Sequence, residues 1–193
     1  MSRRAWAIAL ILSCLLHLVV AGALLASDNL ISNGSFEAGD HCAPWVQESA
    51  EPYNLWQAAE GNWCVDLNCN APGRIWQTVS TIPGRAYDIW FALAGNPDGG
   101  PELKTMTVQA AGQSGNFSFS ITGKSKTNMG WTYHGLQFTA ISDSTLVEFV
   151  STTTDPERSY YGPVVDDISV IPEPTTLALL ALAGSALLAK RRR

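Results

Sequence analysis

Three observations predict an all-β fold, an antiparallel jelly-roll β-sandwich, for this 193-residue chain. Between Ser27 and Ile171 no long stretch repeats its apolar residues every 3.6 positions, as an amphipathic helix requires. Several short runs instead alternate apolar and polar residues, the pattern of a strand with one buried face. Turn-forming Gly, Pro, Asn and Asp separate those runs at near-regular spacing, as in a two-sheet sandwich. Spacing alone leaves an immunoglobulin-like strand order as the alternative to a jelly roll. The 145 residues of this middle region suit one domain that buries roughly 70% of its unfolded surface.

Taken in order, the chain opens with Met1-Ser2-Arg3-Arg4 and an apolar run from Ala5 to Ala26, broken only by Ser13, His17 and Gly22. A basic start, an apolar body and the small residues Ala21-Gly22-Ala23 predict a helical secretory signal peptide over 1–26. The competing reading is an uncleaved anchor, because the run is long enough to cross a bilayer. In the domain of 27–171, Tyr87, Ile89, Phe91 and Leu93 share one face of a strand. Lys104 to Ala110 form the next strand. Phe117, Phe119 and Ile121 then oppose Ser118, Ser120 and Thr122 in a run from Asn116 to Thr122. Gly135 to Ala140, Thr145 to Val150 and Val164 to Val170 complete the series. The predicted turns are Pro83-Gly84, Asn96 to Gly100, Gly112 to Gly115, Gly123 and Asp155-Pro156.

After the last strand come Pro172-Glu173-Pro174, an apolar segment from Leu177 to Ala189, and Lys190-Arg191-Arg192-Arg193. Thirteen helical residues reach only about 20 Å against an apolar bilayer core of about 30 Å, so a permanent span is marginal. The basic end stays cytoplasmic by the positive-inside rule. Half of the 12 Lys and Arg lie in these terminal runs, and the formal net charge of −5 hides the distribution. Residues 27–171 hold six Lys and Arg against 16 Asp and Glu, a net charge of −10. A domain that acidic is unsuited to nucleic acid or to an anionic membrane surface.

Pro172-Glu173-Pro174, the short apolar helix and the terminal Arg191, Arg192 and Arg193 resemble the PEP-CTERM sorting signal of Gram-negative bacteria. The resemblance implies an exosortase-type sorting protease, transient inner-membrane contact through the tail of 172–193, and delivery to the cell surface or an exopolysaccharide matrix. A plain tail anchor is the bland alternative. Within the domain, Asn29-Leu30-Ile31-Ser32-Asn33-Gly34-Ser35-Phe36-Glu37 opens, and Gly162-Pro163-Val164-Val165-Asp166-Asp167-Ile168-Ser169-Val170 closes. Between them stand Val65-Asp66-Leu67-Asn68, Gly73 to Thr78, Gly95-Asn96-Pro97 and Asn128 to Trp131. These segments resemble the choice-of-anchor C family, related to domain-of-unknown-function family 642. More distantly they resemble jelly-roll carbohydrate-binding modules of galactose-binding-like fold. That likeness implies a fold and a surface location, and no established reaction.

In the closing strand Asp166 shares a face with Ile168 and Val170, while Asp167 points the other way. A carboxylate aimed at an apolar layer needs a cation, a hydrogen-bond cluster or a proton. Modules of the resembled kind hold a structural calcium between first and last strands, and hard oxygen ligands suit that ion. The resemblance therefore suggests Glu37, Asp166 and Asp167, with Asn33 and Ser35, as calcium ligands. Turn-capping or Arg-paired aspartates are the alternative.

Six of the seven Trp lie outside the signal segment. Trp76 opposes Ile75 and Val79, and Trp90 opposes Ile89 and Phe91, so both point out of the core. Indole faces stack on sugar C–H faces. Trp76, Trp90 and Trp131, with Arg74 and Asn96 as hydrogen-bonding neighbours, are the candidate glycan contacts, although most large aromatics of a sandwich fill its core. Of Cys42, Cys64 and Cys69, two can bridge in an exported chain. Cys64–Cys69 would close a small loop, and Cys42 is the alternative partner of either. No nucleophile elbow, zinc motif, phosphate loop or dinucleotide fingerprint occurs. The alternative to a hydrogen-bonded His134 is a lone base, and chance carboxylate pairs are the only trace of a glycosidase. The expectation is a non-catalytic, exported module that binds polysaccharide and is linked to exopolysaccharide or biofilm. A purely structural or adhesive matrix protein is the alternative, and a glycan-active enzyme a more distant one.

Overall fold

The computed structural model describes residues 28–155 and 160–173, which contain ten strands and no helix. These are β1 Val46–Glu48, β2 Glu51–Tyr53, β3 Cys64–Asp66, β4 Arg74–Ser80, β5 Ala86–Gly95, β6 Leu103–Ala110, β7 Gln113–Ser120, β8 Thr132–Thr139, β9 Ser144–Ser151 and β10 Pro163–Pro172. They form two antiparallel five-stranded sheets, ordered β1-β4-β9-β6-β7 (sheet A) and β2-β3-β10-β5-β8 (sheet B). Asn29–Ile171 make up one unit. The fold is the jelly-roll-type sandwich that the alternation predicts.

Every run read as a strand lies on one, with boundaries corrected: the run from Asn116 to Thr122 belongs to β7, which begins at Gln113 and ends at Ser120, and the run from Gly135 to Ala140 belongs to β8, which begins at Thr132 and ends at Thr139. Gly112 to Gly115 do not form a turn: Ala111 (φ 48°) and Gly112 (φ 79°) alone reverse the chain, and Gln113 already pairs with Ala110. Two left-handed residues make the tight hairpin whose twist suits its strands. Gly115 therefore lies inside β7, opposite Val108. The short strands β1, β2 and β3 carry too few residues for a period to show.

The inner faces meet in one core. Tyr87, Ile89, Phe91 and Leu93 of β5 are buried against Ile75, Val79, Met106, Val108, Val147 and Phe149 of sheet A. Phe91 joins the layers, its ring edge-on to Phe149 at 5.2 Å and to Phe117 at 5.0 Å. The opening segment flanks the closing strand: Leu30 N donates to Val170 O at 2.9 Å and Ile168 N to Gly34 O at 3.0 Å. A Cβ on residue 34 would stand 1.9 Å from Ile168 O, so only glycine permits this approach.

Candidate functional site

On β5 the residues opposing the core are Asp88, Trp90 and Ala92, and their direct partners on β8 are Gln137, Gly135 and Tyr133. These side chains share the outer face of sheet B. Trp90 is 49% exposed although it is an indole. A Cβ on Gly135 would lie 3.1–3.3 Å from three atoms of the indole's six-membered ring. The ring therefore rests on the glycine's bare backbone. Beside it Tyr133, 58% exposed, spans β5 to reach β10, where its Oη donates to Asp167 Oδ2 at 2.9 Å. Its cross-strand partner Ala92 presents only a methyl group to that path. Asp167 has φ 47°, a left-handed residue inside a strand. Accepting that bond, Asp167 holds the phenol above its ordinary pKa. Gln137 and Asp88, bonded at 3.5 Å, border Trp90 on the side away from Tyr133.

Trp76 lies on the opposite surface, the outer face of sheet A, so the predicted set of glycan contacts is divided. The Arg74 guanidinium stands 4.7 Å from the Trp76 ring centroid. It is gripped by Glu48 Oε2 and Glu148 Oε1, each at 2.8 Å, and these bonds hold it above its ordinary pKa. Glu48 is the cross-strand partner of Arg74, and Glu148 that of Trp76.

Trp131 and Asn96 are placed otherwise than as free ligand contacts. Trp131 is half-buried against the core, and its Nε1 donates to Gln57 O at 2.8 Å, tying down the β2–β3 loop. Asn96 is buried, which corrects its assignment as a surface contact: its Nδ2 donates to Asp66 Oδ2 at 2.7 Å. Asp66 also accepts from Asn68 N and Gly162 N, and burial pushes it up to about 7. Nearby, fully buried Lys104 donates to Gly99 O and Tyr161 O at 2.7 and 2.8 Å, and burial lowers it to about 8. The motif reading passed over this buried charged cluster. Its one signal was Lys104 alternating in phase with Met106 and Val108.

Four of the five residues suggested for calcium, Asn33, Glu37, Asp166 and Asp167, accept hydrogen bonds. Asp166, fully buried, receives Ala59 N (2.8 Å) and Glu60 N (3.0 Å) on Oδ2, and Asp167 N (2.7 Å) on Oδ1. Burial pushes it up to about 7 while the three amides pull the other way. Glu37 Oε1 receives Asn62 N at 2.6 Å and Trp63 N at 2.7 Å, which hold it below its ordinary value. The Asn33 carbonyl accepts from Phe36 N and Trp45 Nε1, and Ser35 sits in that same turn. Among the described residues no three His, Cys, Asp or Glu stand together as a metal cluster. Of the two carboxylates in the closing strand, Asp166 takes the hydrogen-bond cluster and Asp167 the tyrosine.

The suggested Cys64–Cys69 bridge is not formed. Cys42, Cys64 and Cys69 are free thiols, and Cys64 Sγ faces Tyr53 O at 3.7 Å. Cys69 Sγ instead receives Asn70 Nδ2 at 3.4 Å. Trp45 and Trp56 are core residues, and Trp63 stacks on His41 at 3.6 Å. Pro172 ends β10 and Glu173 is the last described residue, while Pro174, Arg191, Arg192, Arg193 and the signal segment lie outside the described residues.

Residues 42–171 match the family described as protein of unknown function DUF642. The chain belongs to the DUF642 family. Residues 170–193 match the PEP-CTERM protein-sorting motif, which implies exosortase processing and export to the cell envelope or surface. Two DUF642 proteins of Arabidopsis thaliana, L-galactono-1,4-lactone-responsive gene 2 and gene 1, are 25% and 27% identical to this chain, covering 74% of it. The chain spans 46% of the length of these curated relatives. Among solved structures, the DUF642 domain is similar to carbohydrate-binding modules. TmCBM61, solved with β-1,4-galactotriose, has a TM-score of 0.53 at 15% identity, covering 76% of this chain and 100% of the module. The CBM22-1 xylan-binding domain of Paenibacillus barcinonensis Xyn10C has a TM-score of 0.51 at 17% identity, covering 78% of this chain and 97% of that domain. At these identities the likeness establishes the fold.

Proposed function

We propose that this DUF642 domain is a non-catalytic glycan-binding module whose ligand lies on the outer face of sheet B. One observation carries the reading: Trp90 rests on the bare backbone of Gly135 and leaves its opposite ring face to solvent, beside Tyr133, whose hydroxyl is fixed by Asp167. A fixed aromatic surface bordered by carboxylate and amide groups suits a sugar ring, which offers an apolar C–H face and a rim of hydroxyls. The surrounding net charge of −10 favours neutral polysaccharide over anionic polymer. The fold shared with modules that hold β-1,4-galactotriose and xylan supports the same class. Glu37 and Asp166 serve in this reading as acceptors for loop amides, not as calcium ligands. The sorting tail holds the chain transiently at the inner membrane before its release into an exopolysaccharide or biofilm matrix.

Affinity electrophoresis of the chain in gels cast with β-1,4-galactan, xylan or the exopolysaccharide of the producing cells tests the reading. Retardation by at least one polymer, reduced tenfold or more in Trp90→Ala with the melting temperature kept, is expected. Migration unchanged in all three gels would sink it, and self-association insensitive to sugar would favour a structural matrix protein.

A further inference from the structure

We infer that the outer face of sheet A is a second polysaccharide-binding surface, so that one domain bridges two glycan strands. The bridging rests on the reading of the sheet B face given above; the second surface stands on its own observations. In register across sheet A, the residues Val46, Trp76, Glu148, Gln109 and Ser114 form one row over β1, β4, β9, β6 and β7. A parallel row runs through Glu48, Arg74, Val150, Thr107 and Asn116. All ten point away from the core, and neighbouring positions stand about 4.8 Å apart across the strands.

The rows pass from an aromatic end to a polar end. At the aromatic end, Arg74 stacks on Trp76 while Glu48 and Glu148 hold its guanidinium from the strands on either side. Exposed ion pairs add little stability, but two of them on one guanidinium fix its position. The indole is half-buried, with that guanidinium over one of its faces, and what it leaves uncovered is held in one orientation without further ordering on binding. At the polar end, Thr107 Oγ1 donates to Asn116 Oδ1 at 2.8 Å. There the surface deepens into a cleft of about 320 Å³, lined by Gln109, Gly112, Gln113, Ser114, Leu146 and Glu148. Glu148 belongs to both features, so cleft and aromatic end are continuous. That volume falls at the small end of the range of ligand sites.

The chemistry selects the occupant. Glu48, Arg74 and Glu148 together carry one net negative charge, and the rest of the surface is amide, hydroxyl and apolar. A neutral polysaccharide strand matches that set, stacking on Trp76 and exchanging hydroxyl bonds with Gln109, Ser114 and Asn116. Because the sheets of a sandwich pack about 10 Å apart, the outer surfaces face in opposite directions, roughly 20 Å from one another. One glycan strand lying on each makes the domain a cross-linker.

The test uses the whole chain with whichever of soluble β-1,4-galactan or xylan retards it, in four forms: unchanged, Trp76→Ala, Trp90→Ala and both. Affinity electrophoresis reads binding, and turbidity with viscosity of the mixed solution reads bridging. The expected result is that each single variant is retarded at least threefold less than the unchanged chain, and the double variant not at all. The unchanged chain thickens or clouds the polysaccharide, and neither single variant does. If Trp90→Ala alone abolishes retardation, the sheet A surface is refuted and the sheet B reading stands. If Trp76→Ala alone abolishes it while Trp90→Ala has no effect, the second surface stands, and both bridging and the sheet B reading fall. Binding without thickening by the unchanged chain refutes the bridge. Circular dichroism with matching melting curves for all four forms excludes misfolding as the cause of any loss.

Discussion

Substitution of Gly135 separates stability from binding more sharply than removal of the aromatic itself. A methyl group at residue 135 would stand 3.1, 3.2 and 3.3 Å from Cζ3, Cε3 and Cη2 of Trp90, closer than the 3.5–4.0 Å optimum of carbon contacts. Gly135→Ala therefore lifts the indole by a few tenths of an ångström, and Gly135→Val, with two further methyl groups, drives it off the sheet. The backbone of residue 135 is not among the left-handed positions, so neither side chain strains it. A glycine in a strand interior costs roughly 0.5–1 kcal/mol against alanine, and valine favours the pleated sheet. That gain offsets the lost packing of a half-exposed ring, leaving both variants within about 1 kcal/mol of the unchanged chain. In a domain of this size, that is a shift of only a few degrees in melting temperature. Binding responds differently. Loss of a central aromatic contact costs at least about 1.4 kcal/mol, or tenfold in affinity. Titration calorimetry with the polysaccharide that retards the chain, beside differential scanning calorimetry, should show Gly135→Val binding as weakly as Trp90→Ala at nearly unchanged stability, with Gly135→Ala between. Gly135→Val binding like the unchanged chain would refute the idea that the seated indole is the platform.

Asp166→Ala removes the acceptor of three backbone amides, each worth about 1 kcal/mol, and should lower the melting temperature by about 10 °C, read by calorimetry. Glu37→Ala, which frees two amides at the surface, should lower it less. Asp66 and Asp166 both stand at about 7 when folded against 3.8 when exposed, so the folded state binds more protons in that window. Stability is then fully present below pH 4 as far as these two groups are concerned, and falls as pH rises towards 7, on the order of a few kcal/mol for each. Urea midpoints at pH 5.5 and pH 8 check the sign, and a higher midpoint at pH 8 contradicts it. Removing calcium with a chelator, or adding millimolar calcium, should leave the melting temperature within a degree; a rise on adding calcium would return Glu37 and Asp167 to the role of ligands.

The long strands were legible because each buries one face, so the periodicity of β5 and β9 is written in residues that the core requires. The outward direction of Trp76 and Trp90 followed from the same alternation. Their separation onto opposite surfaces did not, because pairing partners are set by topology: Trp90 meets Gly135 and Trp76 meets Glu148, 45 and 72 positions away in sequence. For the same reason Gly135 carried no signal before Trp90 was seen resting on it. Asn96 misled because an Asn between a strand and Pro97 has the composition of a loop, whereas burial of Asp66 requires a donor at that point. The short strands β2 and β3 were illegible because their order comes from the loop between them. Amides of that loop at residues 59, 60, 62 and 63 are fixed by Asp166 and Glu37 at distant positions.

Those contacts give the acidity of the domain a second meaning. A surplus of carboxylates over cations suggests bound calcium, yet Glu37, Asp40, Asp66 and Asp166 each accept two or three backbone amides. Charged acceptors make stronger hydrogen bonds than neutral ones, so Glu37 and Asp40, held below their ordinary pKa by these amides, tether loops as carboxylates, whereas buried Asp66 and Asp166, raised to about 7, accept their amides against the cost of ionising in the interior. The carboxylates beside the exposed aromatics are of another kind. Asp167 and Asp88 on one face, and Glu48 and Glu148 on the other, hold a phenol, an amide and a guanidinium in place beside Trp90 and Trp76. Acidity in this domain therefore splits between tethering loops and presenting aromatic rings. Both uses give the carboxylates partners within the chain itself, amide, phenol or guanidinium, which is how a domain of net charge −10 stays consistent with a neutral polysaccharide as its partner.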